Sequence, residues 1–310
     1  MRKSSRAPAS RRNEQGQALM NNPATPAIRH TGVIGLGALG RPVAELLLRA
    51  GYAVAVYDVR AAAVSALQVQ GATACESPAA VAEQSELIIS LISDRAQTDD
   101  IVFGVNGLQG HLRAHTILAL GSTLGPEPVR QIAAALEAQA VEVLDIPISG
   151  GIIAAQQGAL SLMVGGAAAT LARALPVLRV FAREITHTGA AGTGQAAKLA
   201  HQLVFGLNVM ALLEGLSLGV AGGVDATVMK AVLQQGLANS GVLEAWPDLG
   251  PRWKGMLEAS AAGAALPNLR KDLHLVLEFA RELGVSLPIA TLGSEVADAG
   301  LATGHRDLRL

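Results

Sequence analysis

Three glycines stand between a short apolar segment and a segment of helical periodicity near the start of the chain. They belong to the sequence G-L-G-A-L-G, Gly35 to Gly40, which begins within the apolar segment GVIGL and ends just before PVAELLLRAG. At such a junction the first glycine permits a tight turn, the second lets the backbone approach a pyrophosphate, and the third allows close helix–strand packing. The helix N-terminus then offers N–H groups and partial positive charge to phosphates. This feature predicts a dinucleotide-binding βαβ unit.

An acidic residue ends the next predicted strand, where a carboxylate is expected to bind the adenosine ribose hydroxyls. Asp58 favours NAD, because its charge repels a 2′-phosphate, whereas nearby Arg60 partly offsets this repulsion and leaves NADP open. The alternative for the whole motif is a glycine turn that binds no ligand. The predicted cofactor-binding residues are Gly35, Leu36, Gly37, Ala38, Leu39, Gly40, Asp58, Arg60, Ile92, Ser93, Thr123 and Lys271.

Short apolar segments alternate with helical segments from Thr31 to Gly194. The predicted strands are Gly32–Leu36, Ala53–Asp58, Glu86–Ile92, His115–Ser122, Val141–Pro147 and Leu160–Gly166, with helices at Pro42–Gly51 and Pro128–Gln139. This alternation predicts an α/β fold with a Rossmann-type, doubly wound parallel sheet that is covered on both faces.

After Gly194 the alternation stops and helical patterns follow, which predicts an all-helical C-terminal domain. We therefore expect a tail at residues 1–29, a dinucleotide-binding domain at 30–191, and a helical substrate and oligomerisation domain at 192–310. The tail is basic and polar without a continuous apolar segment, so a disordered tail is favoured over a secretory signal or a transit peptide.

Composition argues against several classes of partner. The 310 residues include 24 basic and 25 acidic side chains, so no charge excess favours nucleic acid or a membrane surface. Aromatic residues make up 3% of the chain, which is too few for base-stacking platforms. Cys75 is the single cysteine and fits a reducing, cytoplasmic compartment. The histidines show no metal-ligand spacing, so no metal is expected.

The most apolar stretch of the chain begins at Leu203. Asn208 and Glu214 interrupt it, so a buried helix of a soluble protein is favoured over a membrane span. The helix predicted from Gln195 to Leu218 is apolar on nearly every face and must be covered by other protein. This pattern predicts a homo-oligomer.

One lysine stands among small and apolar residues in GTGQAAKLAHQ. Lys198 follows Gly192 and Gly194, which let the backbone pass close to another part of the structure. Gln202, four residues later, shares its helical face, and His201 is expected to pack nearby. An ordinary surface lysine is the alternative, but the frame of glycine and alanine favours a functional one.

At this point the chain resembles the β-hydroxyacid dehydrogenase family, which includes 3-hydroxyisobutyrate dehydrogenases and 2-hydroxy-3-oxopropionate reductases. Four segments carry the resemblance: GVIGLGALGRPVAELLLRAG, DIPISGGIIAAQQGALSLMVGG, GTGQAAKLAHQ, and LRKDL with the downstream GVSLP. The resemblance implies an NAD(P)-dependent enzyme that transfers hydride between nicotinamide and a small 3-hydroxy or 3-oxo carboxylic acid. It also implies a homodimer or homotetramer.

The resemblance implies roles for individual residues as well. Lys198 stands at the position of the family's catalytic lysine, which acts as general acid in reduction and as base in oxidation. The Ser-Gly-Gly turn is expected to hold the substrate carboxylate with its N–H groups. Lys271 and Asp272 match a Lys-Asp pair that closes over the cofactor. The expected substrate-binding residues are Ser122, Thr123, Ser149, Gly150, Gly151 and Gln202.

Each of these assignments has a plainer alternative. Ser122 and Thr123 would cap the helix that follows them, the Ser-Gly-Gly sequence would be an ordinary turn, and Lys271 would lie on a solvated helix face. An imine reductase shares this architecture, but such enzymes usually lack the lysine. A non-catalytic dinucleotide-binding protein on the same fold is a further alternative. Leu120 replaces an aspartate that is usual in the family, so the exact substrate stays open.

Overall fold

The computed structural model describes residues 27–245 and 266–303. The chain divides into two compact units, Met1–Gln195 and Ala196–Leu310. Residues 1–26 of the predicted tail lie outside the described residues.

Strands and helices alternate along the first unit. Its strands β1 to β9 are His30–Ile34, Ala53–Tyr57, Thr73–Ala74, Leu87–Ser90, Ile117–Leu120, Glu142–Asp145, Ile148–Ser149, Leu160–Gly165 and Ala182–Gly189. Its helices α1 to α7 are Gly40–Arg49, Ala61–Gln68, Pro78–Gln84, Arg95–Phe103, Pro126–Glu137, Gly151–Gln156 and Ala168–Leu178.

The nine strands form one sheet in the order β3-β2-β1-β4-β5-β6-β8-β7, with β9 paired to β8. The order of the strands reverses at β1: β2 and β3 follow on one side of it, and β4, β5 and β6 follow on the other. Val33 of β1 pairs with Val56 of β2 and with Ile89 of β4. In open α/β sheets such a switch point creates a crevice at the carboxyl ends of the strands, and ligands bind there.

The sheet confirms the predicted fold class and differs from the prediction in detail. Strands β1 to β6 are parallel, but β8 runs antiparallel to both β6 and β7. Strands β3, β7 and β9 were not predicted. Two of them have two residues each, and β9 carries exposed charged side chains such as Arg183 and Glu184. These strands therefore lack the apolar pattern from which the others were predicted.

Alternate residues of the central strands enter two different hydrophobic cores. Val33 and Ile89 belong to one core, and Ile34 and Ile88 belong to the other, and all four are fully buried. The sheet is therefore covered on both faces, which explains why its strands read as continuous apolar segments.

The described part of the second unit is helical. The long helix α8, Thr193–Ala221, begins in the first unit and continues into the second. It is followed by helices α9 to α12, which are Ala226–Gln235, Gly241–Glu244, Leu266–Glu282 and Pro288–Thr303. Their shared core includes Leu216, Leu243 and Leu273. This part of the chain confirms the predicted helical C-terminal region.

Helix α8 has a buried face and an exposed face. By length and composition this helix is apolar enough to cross a membrane. In its most apolar 18-residue stretch, 22% of the residues are buried in the protein. One such helix is weak evidence for a membrane span, because core helices of soluble proteins pass the same test. The prediction of a buried core helix holds for the face with Leu212 and Leu216, which are buried in the core of the second unit. It fails for the other face, where Val204 and Leu218 are 58% and 77% exposed.

Glycines let the first turn of α8 pack directly on the backbone of β8. Gly192 has a φ of +89°, which favours glycine. A Cβ on Gly194 would overlap the carbonyl oxygen of Met163 and would lie 2.9 Å from the amide nitrogen of Gly165. The close neighbour that these glycines predicted is therefore strand β8.

Gly194→Ala is expected to lower the free energy of unfolding by about 1–3 kcal/mol, because the added methyl group meets rigid backbone. Gly241→Ala is the matched control, since no atom of the described chain lies within 4 Å of the position that its Cβ would take. Denaturant unfolding measures both variants. Equal stability of the two would contradict the close packing at Gly194.

Candidate active site

The turn between β1 and α1 fits each role that the sequence assigned to its glycines. Gly35 has a φ of +88°, and a Cβ on Gly40 would overlap the carbonyl oxygen of Gly35. By contrast, no atom of the described residues lies within 4 Å of the position for a Cβ on Gly37. Open space therefore borders the turn beside the start of α1, where the N-cap residue Leu39 has no oxygen with which to cap the helix.

Asp58 follows β2 and bonds to the same turn. Its Oδ2 accepts the Leu36 N–H at 2.7 Å, and its Oδ1 accepts the Arg60 Nε–H at 2.9 Å. Burial pushes the pKa of Asp58 up, but the bonds from Arg60 and Leu36 hold that pKa below its ordinary value. The Asp58 side chain is 8% exposed and that of Arg60 is 61% exposed. The carboxylate of Asp58 is thus paired with the guanidinium of Arg60.

The segments after β4 and β5 lie side by side at the carboxyl edge of the sheet. The Gly121 N–H donates to the carbonyl of Ser90 at 2.9 Å, and the Ser122 hydroxyl donates to the carbonyl of Ile92. The alternative in which Ser122 or Thr123 caps the next helix is wrong, because Gly125 is its N-cap.

Two buried residues that the sequence analysis did not select organise this edge. Asp145, at the end of β6, accepts the N–H groups of Gly192 and Gln195 at 2.8 Å each. The Gln195 side chain bonds the backbone of the segment after β5. It accepts from Leu124 N–H at 2.9 Å and donates to the Ser122 carbonyl at 2.8 Å. Asp145 and Gln195 are both 0% exposed.

The Ser-Gly-Gly sequence joins β7 to α6. Ser149 pairs with Ser161 of β8, and Gly150 and Gly151 follow with φ values of +123° and +68°. A Cβ on Gly150 would lie 2.8 Å from that of Ala154, whereas no described atom lies within 4 Å of the Cβ position on Gly151. Both glycines are thus required by the backbone, and the turn leaves space beside Gly151.

Four side chains form a continuous polar network in the second unit. Lys198 Nζ donates to Gln202 Oε1 at 2.9 Å, and Gln202 Nε2 donates to Asp272 Oδ2 at 2.6 Å. Lys271 Nζ lies 3.3 Å from Asp272 Oδ1. Lys198 and Asp272 are each 6% exposed, so the alternatives of a surface lysine and of a wholly solvated Lys-Asp face are wrong.

Burial lowers the pKa of Lys198 to about 8. The charge of Asp272 raises that pKa and the charge of Lys271 lowers it. His201 Nδ1 lies 3.0 Å from Gln202 Oε1, and burial followed by the Lys198 charge lowers the pKa of His201. A lysine with this pKa exchanges a proton near neutral pH, as a general acid or base must.

Two open cavities lie elsewhere and do not change the assignment of Lys198. One of about 520 Å³ is lined by His30, Ala53 and Arg113 among others, at the amino end of the strands. Ligands of open α/β sheets bind at the opposite, carboxyl end. Within the described ranges there is no group of three or more histidine, cysteine, aspartate or glutamate side chains that fits a metal ion.

Two family models match the chain and together cover almost all of it after residue 29. The NAD binding domain of 6-phosphogluconate dehydrogenase matches residues 30–189. The NAD-binding domain of NADP-dependent 3-hydroxyisobutyrate dehydrogenase matches residues 192–309.

Characterised relatives and solved structures agree with these matches. The chain is 35% identical to 3-hydroxyisobutyrate dehydrogenase from Pseudomonas aeruginosa, over 84% of this chain and 88% of the relative. It is 32% identical to 2-hydroxy-3-oxopropionate reductase from Escherichia coli, over 89% and 93%. The crystal structure of 3-hydroxyisobutyrate dehydrogenase from Salmonella typhimurium superposes with a TM-score of 0.77 at 28% identity, covering 89% of this chain and 95% of that one.

Gly37→Ala is expected to weaken NADH binding about 10- to 100-fold, because a methyl group would occupy space that the pyrophosphate needs and overpacking costs about 1–3 kcal/mol. The melting temperature should stay unchanged, since the Cβ meets no described atom. Fluorescence titration with NADH measures the affinity, with Gly241→Ala as the control. Unchanged affinity in Gly37→Ala would contradict this position for the pyrophosphate.

Proposed function

The chain belongs to the β-hydroxyacid dehydrogenase family, and we propose that it interconverts a small 3-hydroxy acid and its 3-oxo form with Lys198 as general acid and base. Membership makes it an NAD(P)-dependent oxidoreductase of hydroxyacids. The observation that carries the role of Lys198 is its burial, which brings its pKa to about 8.

The chemistry that we propose for Lys198 follows from that pKa. In oxidation the neutral amine takes the proton of the substrate hydroxyl while the adjacent carbon loses hydride. In reduction the ammonium group gives a proton to the oxygen of the carbonyl that receives hydride. The nicotinamide, when bound, accepts or supplies that hydride. Gln202 holds the amine by a hydrogen bond, and Asp272 holds Gln202 in turn.

We propose NAD as the preferred cofactor and NADP as a second one. The fit of a dinucleotide is supported by the open space at Gly37 and by the close packing at Gly40. The carboxylate of Asp58 supports NAD, because it repels a 2′-phosphate. Arg60, which pairs with that carboxylate and is 61% exposed, supports some acceptance of NADP.

The substrate in this proposal is a small carboxylic acid. The turn Ser149 to Gly151, which has space beside Gly151, supports binding of its carboxylate through backbone N–H groups. Ser122, Thr123 and Gln202 are the other proposed substrate contacts. The relatives named above act on 3-hydroxyisobutyrate and 2-hydroxy-3-oxopropionate, which both fit this description.

A screen of 3-hydroxy acids with NAD and NADP, and of 3-oxo acids with NADH and NADPH, tests the proposed reaction. We expect turnover of at least one small acid, with a higher kcat/KM for the NAD(H) pair. Turnover of cyclic imines alone would instead support an imine reductase. Tight NADH binding without turnover of any substrate would support a non-catalytic binding protein.

Lys198→Ala is expected to lower kcat about 10²–10⁴-fold, the usual contribution of a general acid or base. The dissociation constant of NADH should change little. Lys230→Ala, a lysine of α9 outside the polar network, serves as the control. A near-normal kcat in Lys198→Ala on the best substrate would remove this lysine from the mechanism.

The pH dependence gives a second test of Lys198. Oxidation needs the neutral amine, so kcat/KM for oxidation should rise with pH and level off above about 8, the pKa of Lys198. Because the charge of Asp272 raises that pKa, Asp272→Asn should move the inflection to lower pH. Because the charge of Lys271 lowers it, Lys271→Met should move the inflection to higher pH.

Asp298→Asn is the matched control for the pH experiment, since this carboxylate pairs with Arg270 on the outer part of the same unit. Its inflection should match that of the wild type. Shifts of the same sign in Asp272→Asn and Lys271→Met would show that another group controls the profile.

We also propose a cytoplasmic homodimer or homotetramer in which α8 is covered by another copy of the chain, with residues 192–310 as the domain that assembles. The exposed apolar side chains of α8 and α9, including Val204, Leu218 and Val232, support this arrangement. Covering them would remove from water a surface that monomeric proteins rarely expose.

Leu218→Glu is expected to weaken this assembly, because it would bury a charge in the apolar contact. Light scattering at micromolar concentration should give a dimer or tetramer mass for the wild type and a smaller mass for the variant. A monomeric wild type with full activity would contradict the proposed assembly.

A further inference from the structure

The carboxamide of Gln195 bonds three backbone groups of one short segment. Its Oε1 accepts the N–H groups of Leu124 and Gly125 at 2.9 and 3.2 Å, and its Nε2 donates to the carbonyl of Ser122 at 2.8 Å. We propose that Gln195 is a positioning residue that fixes the segment Ser122–Gly125 for the nicotinamide half of the cofactor. This inference rests on the proposed function.

The segment depends on Gln195 because it lies between regular elements. Strand β5 ends at Leu120 and helix α5 begins at Pro126, and Gly125 between them has a φ of +88°. The N–H groups of Leu124 and Gly125 precede the first turn of α5, and both donate to the Gln195 side chain. An amide side chain with both an acceptor and a donor matches N–H groups at one end of the segment and a carbonyl at the other.

The position of the segment in the sheet identifies which half of the cofactor it faces. The adenosine ribose is expected at Asp58 after β2, and the pyrophosphate at the turn after β1. Strands β4 and β5 lie on the opposite side of β1 from β2. A dinucleotide that crosses the switch point from β2 therefore brings its nicotinamide end to the segments after β4 and β5.

Gln195 is not needed to hold its own helix. The backbone N–H of Gln195 and that of Gly192 both bond to Asp145, and neither bond involves the Gln195 side chain. Substitution at Gln195 is therefore expected to release the segment after β5 while the first turn of α8 stays attached to β6.

The test compares two ligands that share every group except the nicotinamide. Calorimetry with NADH and with ADP-ribose is carried out on the wild type, Gln195→Ala and Gln195→Glu. Gln131→Ala is the control, since this glutamine is exposed and bonds other side chains. We expect ADP-ribose affinity to change by less than about threefold and NADH affinity to fall about tenfold or more, the size of one lost buried hydrogen bond.

Turnover gives a second readout of the same displacement. A shift of about 1 Å in a positioning segment can cost about 10²-fold in rate, so kcat/KM should fall by roughly that factor in Gln195→Ala. Gln195→Glu keeps the shape of the side chain and the oxygen that accepts from Leu124. It replaces the N–H donor with a carboxylate oxygen, which repels the carbonyl oxygen of Ser122. Protonation restores that donor, so the ratio of kcat/KM in Gln195→Glu to that of the wild type should rise as the pH falls.

The results separate this inference from the proposed function. Equal losses for NADH and ADP-ribose, or no loss for either, would overturn the positioning role. If Gln195→Ala does not fold, the same comparison of NADH and ADP-ribose is made with Gln195→Glu alone. In that variant the ratio of its kcat/KM to that of the wild type gives a second test. A ratio that stays constant with pH would count against the positioning role. A wild type that binds neither ligand would refute the proposed function itself.

Discussion

A buried carboxylate attaches the long helix α8 to the sheet. Asp145 at the end of β6 accepts the N–H of Gln195 in the first turn of that helix and the N–H of Gly192 just before it. Each such bond to a charged acceptor contributes about 1.5–3 kcal/mol, and negative charge at a helix N-terminus is favourable. Burial nevertheless raises the pKa of Asp145 above its ordinary value, so these donors are needed to keep the carboxylate inside the protein.

The buried carboxylate of Asp145 leaves no room for a side chain at two neighbouring positions, and both are glycines. A Cβ on Gly165 would overlap Asp145 Oδ1, and a Cβ on Gly194 would lie 2.7 Å from Oδ2. Once the first turn of α8 is held in this way, the side chain of Gln195 has a fixed origin from which to bond the segment after β5. The edge of the sheet is therefore organised by buried polar groups and by the absence of side chains beside them.

The sequence predicted the features that depend on neighbours along the chain. Buried strands are apolar on both faces, so β1, β2, β4, β5, β6 and β8 were recognised. The predicted β1 begins and ends two residues late, and the other five were predicted longer than they are. The glycine turn was predicted because two of its constraints are local: Gly35 has a positive φ, and a Cβ on Gly40 would overlap the carbonyl oxygen of Gly35. Lys198 was selected because a lysine framed by glycine and alanine is unusual, and its burial explains that frame.

The features that the sequence did not reveal depend on distant partners. Asp145 bonds an amide 47 residues away, and Gln195 bonds a carbonyl 73 residues away. No periodicity reports such pairs, although Asp145 lies in the segment DIPISGG and Gln195 lies three residues before Lys198. The exposure of one face of α8 also follows from the arrangement of whole helices, so composition alone suggested a helix that is buried on every face.

In the proposed reaction, a small hydroxyacid gives hydride to a nicotinamide while Lys198 takes the hydroxyl proton. Transfer of deuterium measures this directly, with the best 3-hydroxy acid of the substrate screen deuterated at its hydroxyl-bearing carbon and with unlabelled NAD. We expect mass spectrometry to find one deuterium in the NADH formed by the wild type and almost no NADH from Lys198→Ala. Unlabelled NADH from the wild type, or labelled NADH at an undiminished rate from the variant, would contradict it.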